Sequence, residues 1–412
     1  FELGGDSIKA LQVASRLLQA GYKLVMKDLF QYPTVAALSP YLQASGKLAS
    51  QEAVEGEIEL TPIQRWFFGQ QPADAHHSNQ SVMLYRKEGF NEAALRATMQ
   101  KIAEHHDALR MVFRETGSGY AAWNRGVNEG ELFSLEVVDF SAMTDCAAAV
   151  EAKATAIQGG IDLEHGPLMK LGLFHCPDGD HLLIAIHHLV VDGVSWRILF
   201  EDIAAGYEQA LRGEAIRLPH KTDSFKTWAE QLLRYAGSPA MERERAYWQQ
   251  IEQGGYAPLP KDNAEVRPLL KESDVVTVRW TAEETEQLLK QAHRAYRTEM
   301  NDLLLTALGM AIREWSGLDR VPVNLEGHGR EEIIPDVDVS RTVGWFTSQF
   351  PVVLELGQDE PVGQRIKRVK EGLRHIPNKG IGYGILRYLS APQEGMKFGV
   401  EPEISFNYLG QF

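Results

Sequence analysis

His187-His188-Leu189-Val190-Val191-Asp192-Gly193 joins two segments of different character. Ahead of it runs Leu182-Leu183-Ile184-Ala185-Ile186, a short apolar stretch with β-branched residues, which predicts a buried strand. Behind it, Trp196, Leu199, Ile203, Tyr207 and Ala210 recur every three or four residues as one apolar helix face. Ser195 is the expected N-cap of that helix. The two histidines therefore stand where strand gives way to turn, and Asp192-Gly193 suits the turn. Neighbours on a strand point to opposite faces, so only one imidazole can enter a given cavity. Taken alone, the heptapeptide reads as turn chemistry and two satisfied histidines. The segments around it change that reading.

A chain of 412 residues is long for one core, so two or three domains are expected. It is 44% hydrophobic and 24% charged, as soluble globular proteins are. Asp and Glu outnumber Lys and Arg by 56 to 42, giving −14, which argues against nucleic acid and anionic membrane as partners. No apolar run approaches the roughly 20 residues of a membrane span. Phe1-Glu2-Leu3-Gly4-Gly5 lacks the basic start of a signal peptide. Cys146 and Cys176 are far apart in sequence and in no metal or redox spacing, so a reducing, cytoplasmic setting is expected.

Residues 1–43 form a small unit. Asp6 and Ser7 precede an amphipathic helix over Ile8–Leu18 that Gly21 ends, and further helical turns follow at Met26–Phe30 and Pro33–Leu38. Some forty residues make a poor core, so a first helix is expected upstream of Phe1. Residues 44–57 are small and charged and read as a flexible linker. Residues 58–225 and 226–412 read as two lobes of a larger domain. In the first, Thr61-Pro62 starts a helix, and Asn91–His106 is another, with Leu95, Met99 and Ile102 on its apolar face. In the second, Met300–Ile312 is apolar nearly all round and predicts a buried helix. Val321–Leu325 is a strand ending in Glu326-Gly327-His328-Gly329-Arg330-Glu331. Strand material surrounds Val352-Val353-Leu354, Pro377–Gly384 is a glycine-rich loop without a phosphate-binding context, and Ile404–Leu409 is a last strand. The pairs His76-His77 and His105-His106 suggest no zinc, because adjacent residues on one regular element do not converge on an ion.

Leu3-Gly4-Gly5-Asp6-Ser7, supported by Phe30-x-x-Pro33-Thr34, resembles the attachment motif of peptidyl carrier domains. That resemblance implies a 4′-phosphopantetheine arm on Ser7, installed by a phosphopantetheinyl transferase. A helix N-terminus suits the phosphodiester. Residues 60–412 resemble the epimerization domains of nonribosomal peptide synthetases, a branch of the condensation-domain family. The match runs in family order. It takes in Pro62-Ile63-Gln64-x-Trp66-Phe67, the His-His-Asp-Gly stretch with Ser195-Trp196-Arg197, and Asp302-Leu303-Leu304-Leu305-x-Ala307. Glu326–Glu331, Arg341-Thr342-Val343-Gly344-Trp345-Phe346-Thr347, Pro377-x-x-Gly380-x-Gly382-Tyr383-Gly384 and Phe406-Asn407-Tyr408-Leu409-Gly410 complete it. Phe350 departs from the tyrosine expected after Trp-Phe-Thr, and the end of the domain is expected beyond Phe412. The chain resembles the carrier–epimerization tail of gramicidin- and tyrocidine-type initiation synthetases.

The resemblance implies a small all-α carrier bundle followed by a two-lobed, V-shaped, chloramphenicol-acetyltransferase-like α/β domain, with a tunnel between the lobes. It implies an aminoacyl thioester substrate, with phenylalanine as the amino acid it offers. Upstream adenylation and downstream condensation domains are the neighbours it implies, and cytoplasm the location. Inversion of an α-carbon needs acid/base groups on both faces and stabilisation of the enolate. Glu326, at a strand end beside two glycines that let the backbone approach a ligand closely, is expected as one base, with His188 as the opposing acid or enolate stabiliser. Tyr408 is expected as a second acid, and Asn407 as its alternating neighbour. His187 is expected to point away, and Asp192 to form a buried pair with Arg341 that fixes the turn. No metal or pyridoxal is called for. Two alternatives stand beside this reading: a condensation domain forming peptide bonds, and an inactive platform for carrier docking. Glu326 pairing with Arg330 is the structural alternative to its role as base.

Overall fold

The computed structural model describes residues 7–44, 49–117, 119–263, 269–355, 357, 360–391 and 396–410. The apolar stretch Leu182–Ile186 lies in the strand Gly179–His187, which is flanked antiparallel by Asn79–Arg86 and Met169–Cys176. Ser134–Asp139 runs parallel to Met169–Cys176 and completes a four-stranded sheet. Alternation sorts the core. Leu182, Ile184 and Ile186 pack with Leu95, Met99 and Ile203, from the helices Glu92–His105 and Gly193–Leu211. Leu183 turns the other way, onto Ala154 and Ile157 of the helix Ala147–Gly159. The strand is buried on both faces, so its sequence shows no polar alternation.

A three-stranded sheet pairs Gly119–Asn124 with both Gly56–Ile58 and Met111–Thr116. A second pairs Arg320–Gly327 antiparallel with Ser348–Glu355 and, along its other edge, parallel with Ser405–Phe406. The helix Phe225–Ala236 touches both the Gly56–Ile58 strand and the helix Ile381–Tyr388, and so ties the two halves together.

Several expectations are corrected. The helix Met300–Ser316 buries one face, through Asp302, Leu305, Gly309 and Ile312, while Ala307 and Ala311 are exposed. It is a surface helix with a broad apolar stripe. Pro377–Gly384 is not a loop but a 3-10 turn leading into the helix Ile381–Tyr388. Gly380 sits there at φ +87°, and a Cβ on it would lie 2.3 Å from the Phe350 ring. Phe350, which replaces the expected tyrosine, is buried with its ring against that glycine. The last strand is confined to Ser405–Phe406.

The small unit contains the helices Ser7–Gln19, Met26–Gln31 and Val35–Leu38. It is not wholly helical, because Tyr22–Lys23 pairs antiparallel with Gln43–Ala44. Leu3–Asp6 of the attachment motif lies outside the described residues. The unit meets the large domain at Arg16, 3.5 Å from Glu201, and at the Met26 N–H, which donates to the Glu332 carboxylate at 3.3 Å. The second half of the expected linker is pinned rather than free. Gln51 donates to Lys221 O, the Val54 N–H donates to Asp107, and Gly56–Ile58 is already sheet. Backbone groups placed beside a sheet edge take partners, whatever the composition.

Candidate active site

Asp192 organises the turn. Its Oδ1 accepts the Ser195 N–H at 2.8 Å, so Asp192, not Ser195, caps the helix Gly193–Leu211. Its Oδ2 accepts from Arg330 Nη1 at 2.8 Å and from the Phe346 N–H at 3.0 Å. Ser195 is freed from capping and instead accepts the Gly344 N–H at 3.0 Å and Arg330 Nη2 at 3.1 Å. The expected partner, Arg341, is elsewhere: it pairs with Glu201 at 3.1 Å and with Asp202, further along the helix. The alternative of a Glu326–Arg330 pair is also overturned, since Arg330 is committed to Asp192.

Gly329 makes this clamp possible. It sits at φ +69°, and a Cβ there would come within 1.6 Å of Phe346 O. Gly329→Ala must push the 326–331 segment off the turn. A loss of about 2 kcal/mol, or roughly 5 °C in melting temperature, is expected in a thermal scan. An unchanged melting point would show that the segment moves freely.

The two histidines part company at the strand end. His187 is fully buried; its Nε2 lies 2.8 Å from Ala75 O and its Nδ1 accepts the Leu189 N–H. His188 tilts onto the Trp345 ring, centroids 4.3 Å apart, with Nδ1 2.9 Å from Val191 O and Nε2 2.9 Å from Gln80 Nε2.

Burial pushes the His187 imidazole down to about 4, and burial with the neighbouring His106 pushes His105 down to about 3. Both therefore fold in the neutral form, while the unfolded chain takes up protons near pH 6.5. Their contribution is complete above pH 6.5 and is lost as pH falls toward 4 and below. For His187 it is on the order of 3 kcal/mol. Asp302, raised to about 6 by burial, acts in the opposite sense, but with a smaller shift than the two histidines together. Denaturant titrations should show stability falling between pH 6.5 and 4. A rise over that range would contradict neutral buried imidazoles.

Glu326, next to last in the strand Arg320–Gly327, lines a cavity of about 480 Å³, which Asp192, His328, Asn407 and Tyr408 also line. Asn407 Nδ2 donates to Glu326 Oε2 at 2.6 Å and Gln349 Nε2 to Oε1 at 3.3 Å. Asn407 and Tyr408 both reach this cavity because strand geometry stops at Phe406, which releases them from alternation. Gln349 had no sequence signal. It faces Glu326 only because the two are register partners across the sheet. It also lines a second cavity of about 300 Å³ with Trp66 and Trp345, and Thr347 lines both. His188 is not among the lining residues of either cavity; it lies against Trp345, which lines the second. The structure thus gathers Glu326, Asn407, Tyr408 and Asp192 at one cavity. His188 adjoins the wall of the other, and His187 and Arg341 stand apart.

Two clusters escaped the spacing argument. His105, His106 and Asp202 bring ligand atoms within 4.8 Å, because His105 ends its helix and His106 leaves it in extended backbone. Arg341 on Asp202, and Lys221 at 2.6 Å from Asp107, already place two cations there. Cys146, Cys176 and Asp178 also converge, since Cys146 precedes the helix that packs beside Cys176. Burial and a hydrogen bond with Cys146 push the Cys176 thiol up to about 12.

Sheets clamped through a His-His-x-x-x-Asp-Gly turn define the chloramphenicol-acetyltransferase-like architecture of condensation-type domains. The chain belongs to the condensation-domain family: residues 54–412 match its Condensation domain. Residues 1–42 match the Phosphopantetheine attachment site, so the cofactor of the small unit is 4′-phosphopantetheine. The particular relatives are nonribosomal peptide synthetases. Over 412 residues the chain is 59% identical to a mycosubtilin synthase subunit from Bacillus subtilis, covering 100% of this chain and 16% of that protein. Over 415 residues it is 49% identical to gramicidin S synthase 1 of Brevibacillus brevis, covering 100% and 38%. The chain thus spans well under two thirds of these relatives' length. The epimerization domain from the third module of tyrocidine synthetase B superposes with a TM-score of 0.85 at 51% identity, covering 89% of this chain and 82% of that one. The first condensation domain of the calcium-dependent antibiotic synthetase, at 19% identity and a TM-score of 0.66 over 86% and 80%, shares the fold. Among the described residues no helix is long and apolar enough to cross a membrane.

Proposed function

We propose that the chain inverts the α-carbon of an L-aminoacyl thioester, phenylalanyl in the first instance, carried on its own small unit. The observation that carries this reading is the Glu326 carboxylate, lining the 480 Å³ cavity near the end of its strand and oriented by two amide donors. Amide formation has no need of a second base there. Ser7 is the proposed attachment point. It is the first residue of the 13-residue helix Ser7–Gln19, whose free first-turn N–H groups suit a phosphodiester. When bound, the arm supplies a thioester that acidifies the α-C–H.

The chain's residues do the rest. Glu326 removes the proton from one face, Asn407 and Gln349 hold its carboxylate in place, and His188 serves the opposite face as acid or as stabiliser of developing charge. Tyr408 is the proposed second acid, at the same cavity as Glu326. Asp192 supports the turn that carries His188. The proposal keeps residues 1–43 as carrier, 44–57 as connection, and 58–225 and 226–412 as the two lobes. It includes adenylation and condensation neighbours, a phosphopantetheinyl transferase, and a cytoplasmic setting, with no nucleic-acid, membrane, metal or pyridoxal partner.

The test loads the carrier with L-phenylalanine through a transferase and follows deuterium entry from heavy water, with chiral analysis of the released amino acid. Deuterium at the α-carbon and appearance of the D form are expected. An amide product on supplying a second loaded carrier, without exchange, would replace this reading with a condensation domain. Neither outcome would leave a docking platform.

A further inference from the structure

Gln80 lies opposite Ile186 where Asn79–Arg86 pairs with Gly179–His187. Pairing continues one step further, since the His188 N–H donates to Ser78 O at 2.8 Å. Side chains on one sheet face repeat every second residue, so Gln80 and His188 are diagonal neighbours on that face. The Gln80 amide lies between two partners: Trp196 Nε1–H donates to its Oε1 at 2.8 Å, and its Nε2 is 2.9 Å from His188 Nε2.

These bonds can be satisfied in only one way. An indole nitrogen donates and never accepts, so the Gln80 oxygen must face Trp196 and its NH2 must face His188. An amide NH2 only donates, so His188 Nε2 presents a lone pair. The Val191 carbonyl only accepts, so the proton of the imidazole sits on Nδ1. A proton on Nε2 would meet the Gln80 NH2, donor against donor. His187, on the same strand, is held neutral by burial, and Asp192 is taken up by Arg330. From the other half, the Trp345 ring covers His188. Among the described residues no carboxylate forms an ion pair with His188.

We propose that Gln80, aimed by Trp196, is a positioning residue that holds His188 in the Nδ1–H tautomer with Nε2 as acceptor, and that its amide must withdraw before Nε2 exchanges a proton with substrate. In that step the α-C–H bond breaks as an Nε2–H bond forms, leaving an imidazolium and an enolate, and the reverse transfer restores the C–H bond and the neutral ring. This rests on the reading of His188 as the acid/base group opposite Glu326.

The first measurement needs no variant: nitrogen-15 spectra of the histidine-labelled holoprotein. The Nδ1–H tautomer is expected for His188; an Nε2–H tautomer overturns the proposal. The second is the pH profile of deuterium exchange. Gln80→Glu places an acceptor against Nε2 and should move the His188-dependent limb upward by about one pH unit. Gln80→Leu frees the ring and should lower the exchange rate about tenfold with carrier loading unchanged. Profiles of both variants lying on the wild-type curve would overturn the proposal. Wild-type protein that keeps the Nδ1–H tautomer but shows no exchange removes the epimerase reading, and the exchange step with it, while leaving the tautomer assignment.

Discussion

Glu326→Gln is expected to reduce α-proton exchange about 10³-fold while leaving carrier loading intact. The substitution keeps volume at the cavity wall but removes the group that accepts the proton. Asn407 and Gln349 would then meet an amide that offers one acceptor oxygen where the carboxylate offered two. Asn407→Ala should therefore cost less than Glu326→Gln, about tenfold, because it loosens the carboxylate without deleting it. Exchange is measured by mass shift of the released amino acid in heavy water. Full exchange in Glu326→Gln would remove this residue from the chemistry and, with it, the main support for epimerization.

Asp192→Ala is expected to have the largest effect on stability. Arg330 is buried with its guanidinium against Asp192 Oδ2 and over the Phe346 ring, 4.0 Å from the centroid. Removing one partner of a buried pair leaves a charge with neither water nor counter-ion, a cost of about 3–5 kcal/mol. The helix Gly193–Leu211 loses its cap as well, for about 1 kcal/mol more. A fall in melting temperature on the order of 10 °C is expected. Asp192→Asn keeps a cap and one acceptor and should fall between wild type and alanine. Equal stability of all three proteins would mean that the turn and the 326–347 segment are not clamped through this carboxylate. Arg341→Ala tests the other pair: it should destabilise without disturbing the histidine turn, because its partners Glu201 and Asp202 lie a full helical stretch away from Asp192.

Much of this molecule was legible residue by residue. The apolar run before His187 and the three-and-four spacing after Gly193 encode a buried strand and a covering helix, since each pattern records burial within one element. The motif order from Pro62 to Gly410 carried the family. Glu326 was read as a polar group at a strand end, Asn407 and Tyr408 as alternating positions of a last strand, and their roles followed from the family resemblance. The failures are also of one kind. Ser195 looked like a cap because its own sequence neighbours favoured it, yet Asp192 starts the helix. The buried reading of Met300–Ile312 followed from apolar content, which does not say how much of a helix its neighbours cover.

The sequence by itself determined the strand, the turn and the helix around His188, and the order of motifs that defines the family. Only the tertiary structure decided which charges meet. On paper Asp192 was matched with Arg341 and Arg330 with Glu326; the path through Gly329 instead brings Arg330 onto Asp192. Gln349 reaches Glu326, and Gln80 reaches His188, through strand registers that join residues 23 and 108 positions apart. Local periodicity fixes what faces inward; which polar group waits there depends on how distant strands and loops are aligned, and no short stretch of chain contains that alignment.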